Sequence, residues 1–552
     1  MTSETVSYLL PELVLVITAT GIYLAGAFLP GQRAWSVTGL GGLLVSAALL
    51  ARSWHAVGTS GPLATDAMSF FVRALSIVVG VVFLILIYRA TEREDGPELA
   101  GTLLMAVAGT MIVASAAEMV LLFVGLELIS IPTYVLLYIG RRGVRSQEAA
   151  TKYFFLSILS SALFLYGLSF IYGTAGTTLF TGIAESFARQ SASPAGLPAV
   201  AYLGAILVLA GLGFKVAAAP FHFYAPDVYQ GTTHVNAGLL AVLPKIAGFV
   251  AMLRLLVLAM PGLESLGWRA AIVLAILTMT LGNVLALWQG NVRRLLAYSS
   301  IAHAGYMLIG VAVALAGKEA AGAPNQFDGV GATLFYLALY SLATMGAFAT
   351  LTFVSPPGEQ LDRVDDLAGL GRRHPISALA MSIFMFSLAG VPPLAGFWGK
   401  LTLFAGALSV GPRDAGMTAT QYWFLVLAIV GVLNAAIAAA YYLRIVAAMY
   451  FRPSEGQRGI SGDGGAWTAM VLCAVLVLVV GLLPGRLSQD AGRKAEGERL
   501  KDAVSRPIGL QEPSKRRQSA YDLVEANFHG LRRLPPILVS RQSPLAVPGR
   551  CQ

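Results

Sequence analysis

With only two cysteines, Cys473 in a late apolar run and Cys551 beside the last residue, the chain lacks the four thiolates that an iron–sulfur cluster usually takes. No such cluster is expected in it. There is also no HExxH motif, no pair of histidines at ligand spacing and no nucleophile elbow, so no metal site and no hydrolase triad is expected. The glycine-rich pieces 39–42 and 369–371 lack the third glycine in its required place and a strand–helix setting, which excludes a dinucleotide fingerprint. If a nicotinamide cofactor matters to the protein at all, it has to bind elsewhere.

Charge is scarce too: 12% of side chains are charged and 56% are hydrophobic, against about 25% charged in a soluble domain. Water is therefore not the main solvent of this chain. No basic leader or small-residue cleavage site opens it, because the first apolar run follows Glu4 and contains Glu12, and that run is read as a retained span.

What the sequence does have is long apolar runs of about 18 to 25 residues, each able to cross roughly 30 Å of hydrocarbon as a helix. They are too long for barrel strands, and lipid tolerates no other spanning structure. The fold class is thus an all-α, polytopic membrane protein of about fourteen transmembrane helices. The candidate spans are approximately 7–29, 36–53, 67–90, 99–115, 118–140, 152–175, 199–220, 236–258, 268–289, 295–317, 330–354, 376–409, 420–450 and 465–484. The seventh and twelfth carry helix breakers beside a lysine: Pro220 follows Lys215, and Pro392, Pro393, Gly396 and Gly399 precede Lys400. Broken helices in matching places point to two inverted five-helix repeats; the alternative is that proline and glycine, both common in membrane spans, merely kink lipid-facing helices. The expected organisation is 1–98 for helices 1–3, 99–258 and 259–450 for the two repeats, 451–484 for the last helix, and 485–552 for a polar basic tail.

Arginines in short loops give the orientation. Alternate loops place Arg33, Arg89, Arg93, Arg141, Arg142, Arg145, Arg293, Arg294, Arg363, Arg372, Arg373, Arg452 and Arg458 on one side. That side is expected to be cytoplasmic, with both termini outside. The tail supplies much of the net +9 charge, but long segments cross largely regardless of charge.

Four ionisable residues sit deep in apolar runs: Glu127 in LLFVGLELISIPTYVLLY, Lys215 in LAGLGFKVAAAPF, Lys245 in LLAVLPKIAGFV and Lys400 in GVPPLAGFWGKLTLF. Each costs at least about 2.5 to 3.5 kcal/mol at mid-bilayer, so each demands a reason. One reading is a buried Glu–Lys pair that fixes helix register while the other lysines snorkel to the interface. The other is a hydrated proton relay, for which lysine is suited because burial disfavours an ammonium ion, whereas arginine stays charged. His222, His234 and His303, with Asn283, Ser299 and Ser300, are candidates to extend such a relay or to satisfy helix ends. Arg254 and Arg444, near span ends, read as interfacial anchors.

Three blocks then carry a family likeness: GFKVAAAPFHFYAPDVYQGTTHVNAGLLAVLPKIAGF (213–249), RRLLAYSSIAHAGYMLIG (293–310) and PPLAGFWGKLTLF (392–404). They resemble the antiporter-like subunits of complex I, the respiratory NADH:quinone oxidoreductase, and of multisubunit cation/proton antiporters, over about residues 65 to 450. PDVYQG (226–231), the lysine of LPK (243–245) and a lysine in the twelfth helix are most similar to the N-type branch. The resemblance implies that Glu127, Lys215, Lys245 and Lys400 carry proton translocation. It also implies partners among the M-, K-, J-, A- and H-type membrane-arm subunits in a bacterial inner membrane. FMN, iron–sulfur clusters and quinone are then expected in other subunits, none in this chain, with no nucleic-acid partner. A subunit of a cation/proton antiporter or of a membrane-bound hydrogenase is the alternative. The chain departs from the family pattern at GTTHVN (231–236) and in its longer tail.

Overall fold

A helix satisfies every backbone group within its own segment, which is what an apolar run in lipid requires. The computed structural model describes residues 3–29, 31, 33–52, 58–90, 95–139, 143–319, 329–356, 361–411, 417–453 and 462–483. Its helices are α1 (Ser3–Gly26), α2 (Ala34–Arg52), α3 (Ala67–Leu86), α4 (Gly96–Ser115), α5 (Met119–Ile139), α6 (Val144–Ala175), α7 (Phe180–Ser191), α8 (Ala199–Lys215) and α9 (Ala225–Gly231). They continue as α10 (His234–Met252), α11 (Glu264–Leu287), α12 (Val292–Glu319), α13 (Gly329–Val354), α14 (Leu370–Arg373), α15 (Pro375–Ala389), α16 (Ala395–Leu408), α17 (Ala419–Phe451) and α18 (Gly464–Leu482). A short hairpin, β1 (Gly58–Ser60) with β2 (Leu63–Thr65), joins α2 to α3.

Among the described residues, twelve helices are long and apolar enough to cross a membrane. Two more crossings are each built from a pair of shorter helices, α8 with α9 and α15 with α16. The expected fourteen spans, with the seventh and twelfth broken, are therefore present. Three long helices, a broken one and a long one occur in that order twice, from α4 to α10 and from α11 to α17.

Each break accounts for the backbone groups it frees. After Lys215 the chain passes through Ala217 at φ +57°, a left-handed position that costs a non-glycine residue about 1–3 kcal/mol. Tyr224 Oη donates to the Phe214 carbonyl at 3.0 Å, and Ala219 N donates to Thr278 Oγ1 of α11 at 2.9 Å. In the twelfth span, Gly390 ends α15 at φ +89°, which glycine adopts without steric cost. A Cβ there would lie 3.0 Å from Lys400 Cδ.

Four features depart from the sequence expectations. The 176–198 connection, in which no span is expected, holds α7, whose buried Phe180, Ile183 and Phe187 form an apolar stripe at helical spacing. Past Met252, α10 continues as a π-helical segment, Leu253–Ala259, the wider turn often found at functional places. Arg254 in that segment is no interfacial anchor: it is buried, pairs with Asp66 ahead of α3, and donates to the Ala114 carbonyl at the end of α4 at 2.6 Å. A planar five-donor group can hold two helix ends at once in this way. Arg444 likewise turns to the end of α11, donating to the Leu287 and Gln289 carbonyls.

Glu12 is also tied down. Arg73 of α3 donates to its carboxylate at 2.7 Å and to the Tyr8 carbonyl at 2.8 Å, fixing α3 against α1. The loops bearing Arg293, Arg363 and Arg452 meet at one end of the molecule, where Asn291 bridges Arg363, Arg293 pairs with Asp362, and Arg452 pairs with Asp365. The basic tail expected from residue 485, with Arg93, Arg141, Arg142 and Arg458, lies outside the described residues.

Candidate functional site: a buried polar axis

Lys215 is the last residue of α8, so its amine sits at the negative end of a half-helix dipole. Its Nζ donates to Ser130 Oγ of α5 at 2.7 Å and to Ser157 and Ser161 Oγ of α6 at 3.2 and 3.3 Å. The Glu127 carboxylate stands 3.7 Å away and accepts a hydrogen bond from Ser161 at 2.5 Å. Glu127 and Ser130 are three residues apart on α5, and Ser157 and Ser161 are four apart on α6. Each pair therefore shares one helix face.

Lys245, three turns into α10, donates to the Ser300 carbonyl and, at 2.6 Å, to Ser300 Oγ of α12. Tyr340 of α13 donates to the same hydroxyl at 2.7 Å and lays its ring 5.1 Å from the Lys245 nitrogen. One turn further along α12, His303 shares hydrogen bonds with Tyr336 (2.6 Å) and Tyr442 (2.9 Å). Tyr442 in turn bonds Ser299.

Lys400 donates to the Leu388 and Ala389 carbonyls at 2.9 Å each. These carbonyls close α15, so this amine also answers the negative end of a half-helix, this time across the break. It stands 4.8 Å from the centre of the Tyr306 ring. Tyr306 accepts from Asn283 at 3.4 Å, and Asn283 exchanges further bonds with Tyr441 (3.0 Å) and Asn434 (3.1 Å). The His303 and Tyr306 rings meet edge to face at 5.8 Å.

Lys215, Lys245 and Lys400 are 8%, 2% and 4% exposed. Snorkelling is thereby excluded, since it needs a charged head in water. A register-fixing pair explains Lys215 at most, because among the described residues neither Lys245 nor Lys400 has a carboxylate within ion-pair distance. Both have only carbonyl, hydroxyl and ring-face partners. A neutral amine offers one lone pair and an ammonium offers three donors, so such a setting accommodates proton gain and loss without breaking an ion pair.

The structure thus gathers Lys245, His303 and Lys400 along one lattice of hydroxyls and rings, and gathers Glu127 with Lys215 in a second set. Among the described residues no hydrogen bond joins the two sets directly. His222 lies in the first break, partly buried, and belongs to neither. His234 opens α10, buried behind the Thr233 cap. No cluster of three or more His, Cys, Asp or Glu side chains that could hold a metal occurs among the described residues.

Serines 130, 157 and 161, tyrosines 306, 336, 340 and 442, and Asn434 escaped sequence reasoning. A serine in a spanning helix ordinarily bonds its own backbone, as Ser341 does to Leu337, and tyrosine counts toward the apolar run. The usable signal was spacing: Ser157 with Ser161 and Tyr336 with Tyr340 repeat at four residues, pointing one polar stripe inward.

The family model described as NADH:quinone oxidoreductase/Mrp antiporter, transmembrane, matches residues 116–420. The chain is 37% identical over 494 residues to NADH-quinone oxidoreductase subunit N of Trichlorobacter lovleyi, covering 88% of this chain and 95% of that one. It is 38% identical over 500 residues to F(420)H(2) dehydrogenase subunit N of Methanosarcina mazei, covering 87% and 96%. A chain of respiratory complex I from Thermus thermophilus superposes with a TM-score of 0.71 at 35% identity, covering 87% of this chain and 98% of its own. A chain of the Mrp complex from a Dietzia species superposes at 0.74 with 21% identity, over 90% and 98%, and shares the fold.

Proposed function

The chain belongs to the NADH:quinone oxidoreductase/Mrp antiporter family, and from that premise we propose that it is the N-type, proton-translocating membrane-arm subunit of a respiratory NADH:quinone oxidoreductase. The observation that carries the reading is the axis of three buried amines, two of them with no carboxylate in ion-pair reach among the described residues. Insertion of each costs at least about 2.5 kcal/mol, and proton exchange is the use that repays it. In the proposed relay, Lys215 holds a proton while Glu127 is close and releases it when their separation grows, since the attraction falls with distance. Ser300, Tyr340, His303 and Tyr442 then carry the exchange between Lys245 and Lys400. His222 and His234 line the approach from the first break.

The redox chemistry belongs to companion subunits, which would hold FMN, iron–sulfur clusters and quinone. Glu127 supports a lateral partner: its side chain is 23% exposed, on a helix that also exposes Val120, Val124 and Ile131. A carboxylate facing lipid is costly, and a neighbouring membrane-arm subunit would shield it; M- and K-type subunits are the proposed neighbours, with J-, A- and H-type subunits beyond. The arginine-rich end faces the cytoplasm of a bacterial inner membrane, and both termini lie outside.

The second reading changes the companions. The Methanosarcina mazei relative, as similar as the bacterial one, is named for a different electron donor, and an antiporter or a membrane-bound hydrogenase would use the same axis. Purification of the native assembly decides between them. Co-purifying flavin and cluster subunits, with NADH-driven acidification of proteoliposomes, is the expected result; companions limited to antiporter subunits would overturn it.

A further inference from the structure

Among the described residues the two polar sets share no direct hydrogen bond, yet one short element touches both. The segment that begins at Tyr224 and continues as α9 is the second half of the crossing whose first half ends on Lys215. At its start, Tyr224 donates to the carbonyl of Phe214, the neighbour of Lys215, and stacks on the Phe214 ring at 4.2 Å. Five residues on, Tyr229 Oη lies 3.5 Å from Ser300 Oγ, the hydroxyl that Lys245 and Tyr340 both bond.

The far side of α9 is held by charge. Arg294 of α12 pairs with Asp227 at 2.5 Å and donates to Gln230 at 3.1 Å, while Lys152 of α6 reaches the other Asp227 oxygen at 3.0 Å. The adjacent Arg293, fully buried, donates to the Thr232 carbonyl at the end of α9. Gly231 lets α9 close on α6, since a Cβ there would stand 2.8 Å from the Arg145 carbonyl and 2.4 Å from Ala149 Cβ. The helix that grips α9 through Arg293 and Arg294 is the one that carries Ser299, Ser300 and His303 two turns later.

We propose that α9 is a strut linking the Lys215 set to the Lys245–His303 set, with Asp227 and Arg294 as positioning residues that set the distance from Tyr229 to Ser300. This rests on the proton-relay reading above. A rigid half-helix pinned at both ends passes displacement from one end to the other, which supplies the physical connection that coupled protonation requires. Asp227, Arg294 and Lys152 have side chains 38%, 27% and 42% exposed, and ion pairs that reach solvent add little to stability. Their removal should therefore leave the fold intact and act on transfer.

The test uses the whole assembled complex in proteoliposomes, with Arg294→Gln, Arg294→Lys, Asp227→Asn, Tyr229→Phe and the double variant Arg294→Gln/Tyr229→Phe. Arg294→Gln and Asp227→Asn should each slow NADH-driven acidification roughly two- to thirtyfold, with Arg294→Lys recovering part of the rate. The double variant should be no slower than the slower single variant, because both substitutions break one linkage. Wild-type rates in the single variants, or multiplied losses in the double one, would overturn the strut. If Arg294→Gln assembles poorly, the pair Arg294→Lys/Tyr229→Phe is read by the same rule. Lys215→Met in the same series separates the two failures: if it pumps normally the relay itself is wrong, and if it does not while the other losses multiply, only the strut is.

Discussion

Lys215 and Glu127 stand 3.7 Å apart with the hydroxyl of Ser161 between them, accepting from the amine at 3.3 Å and donating to the carboxylate at 2.5 Å. The pair is therefore adjustable: the charges interact, but a neutral group completes the contact. Ser161→Ala removes that bridge and should slow proton translocation by roughly tenfold, while Glu127→Gln, which removes the charge and keeps an acceptor for Ser161, should slow it by about a hundredfold. The comparison is read as initial acidification rate per assembled complex. A larger effect from Ser161→Ala than from Glu127→Gln would mean that hydrogen bonding, rather than charge, governs this end of the axis.

Among the described residues, His303 is the only side chain between Lys245 and Lys400 that bonds both Tyr336 and Tyr442. His303→Phe fills the same space without either bond and should lower translocation by about a hundredfold. His303→Gln, which keeps a donor and an acceptor, should lose less. Equal rates for the two variants would show that the ring packs there without taking part in transfer.

The Glu12–Arg73 pair lies outside the axis and serves as a structural control. Removing one member of a buried pair costs about 3–5 kcal/mol, whereas replacing both by apolar residues of similar volume is often neutral. Glu12→Leu should lower the melting temperature of the purified complex and its yield. Glu12→Leu/Arg73→Met should restore both, and the complexes that do assemble should pump at the normal rate. Failure of the double variant to recover would mean that the bond from Arg73 to the Tyr8 carbonyl matters more than the pair.

Sequence periodicity and length were enough to find the crossings, because an apolar run in lipid has one structural solution. Pro220, and Pro392 and Pro393 with Gly396 and Gly399, also made the two breaks visible. The burial of Arg254 was not legible, since its partner Asp66 lies 188 residues earlier in the chain, and local hydropathy sees only a charge near a span end. α7 was missed because an amphipathic stripe of three buried residues is diluted by polar neighbours. In the axis, the four deep charges stood out by their insertion cost. Ser299 and Ser300 were picked out with the histidines, but Ser130, Ser157, Ser161 and the tyrosines were not, since each costs little in a span and gains meaning only when α5, α6, α12, α13 and α17 bring them together.

The central claim is that a buried lysine must be able to give up its proton, and Lys400 tests it most directly. Arginine keeps the charge and the donors that answer the Leu388 and Ala389 carbonyls, yet it does not deprotonate; methionine keeps the length and loses both. The account predicts that complexes carrying Lys400→Arg or Lys400→Met assemble and acidify proteoliposomes about a hundredfold more slowly than wild type. Acidification by Lys400→Arg at the wild-type rate would show that a fixed positive charge suffices at this place, and would contradict the relay.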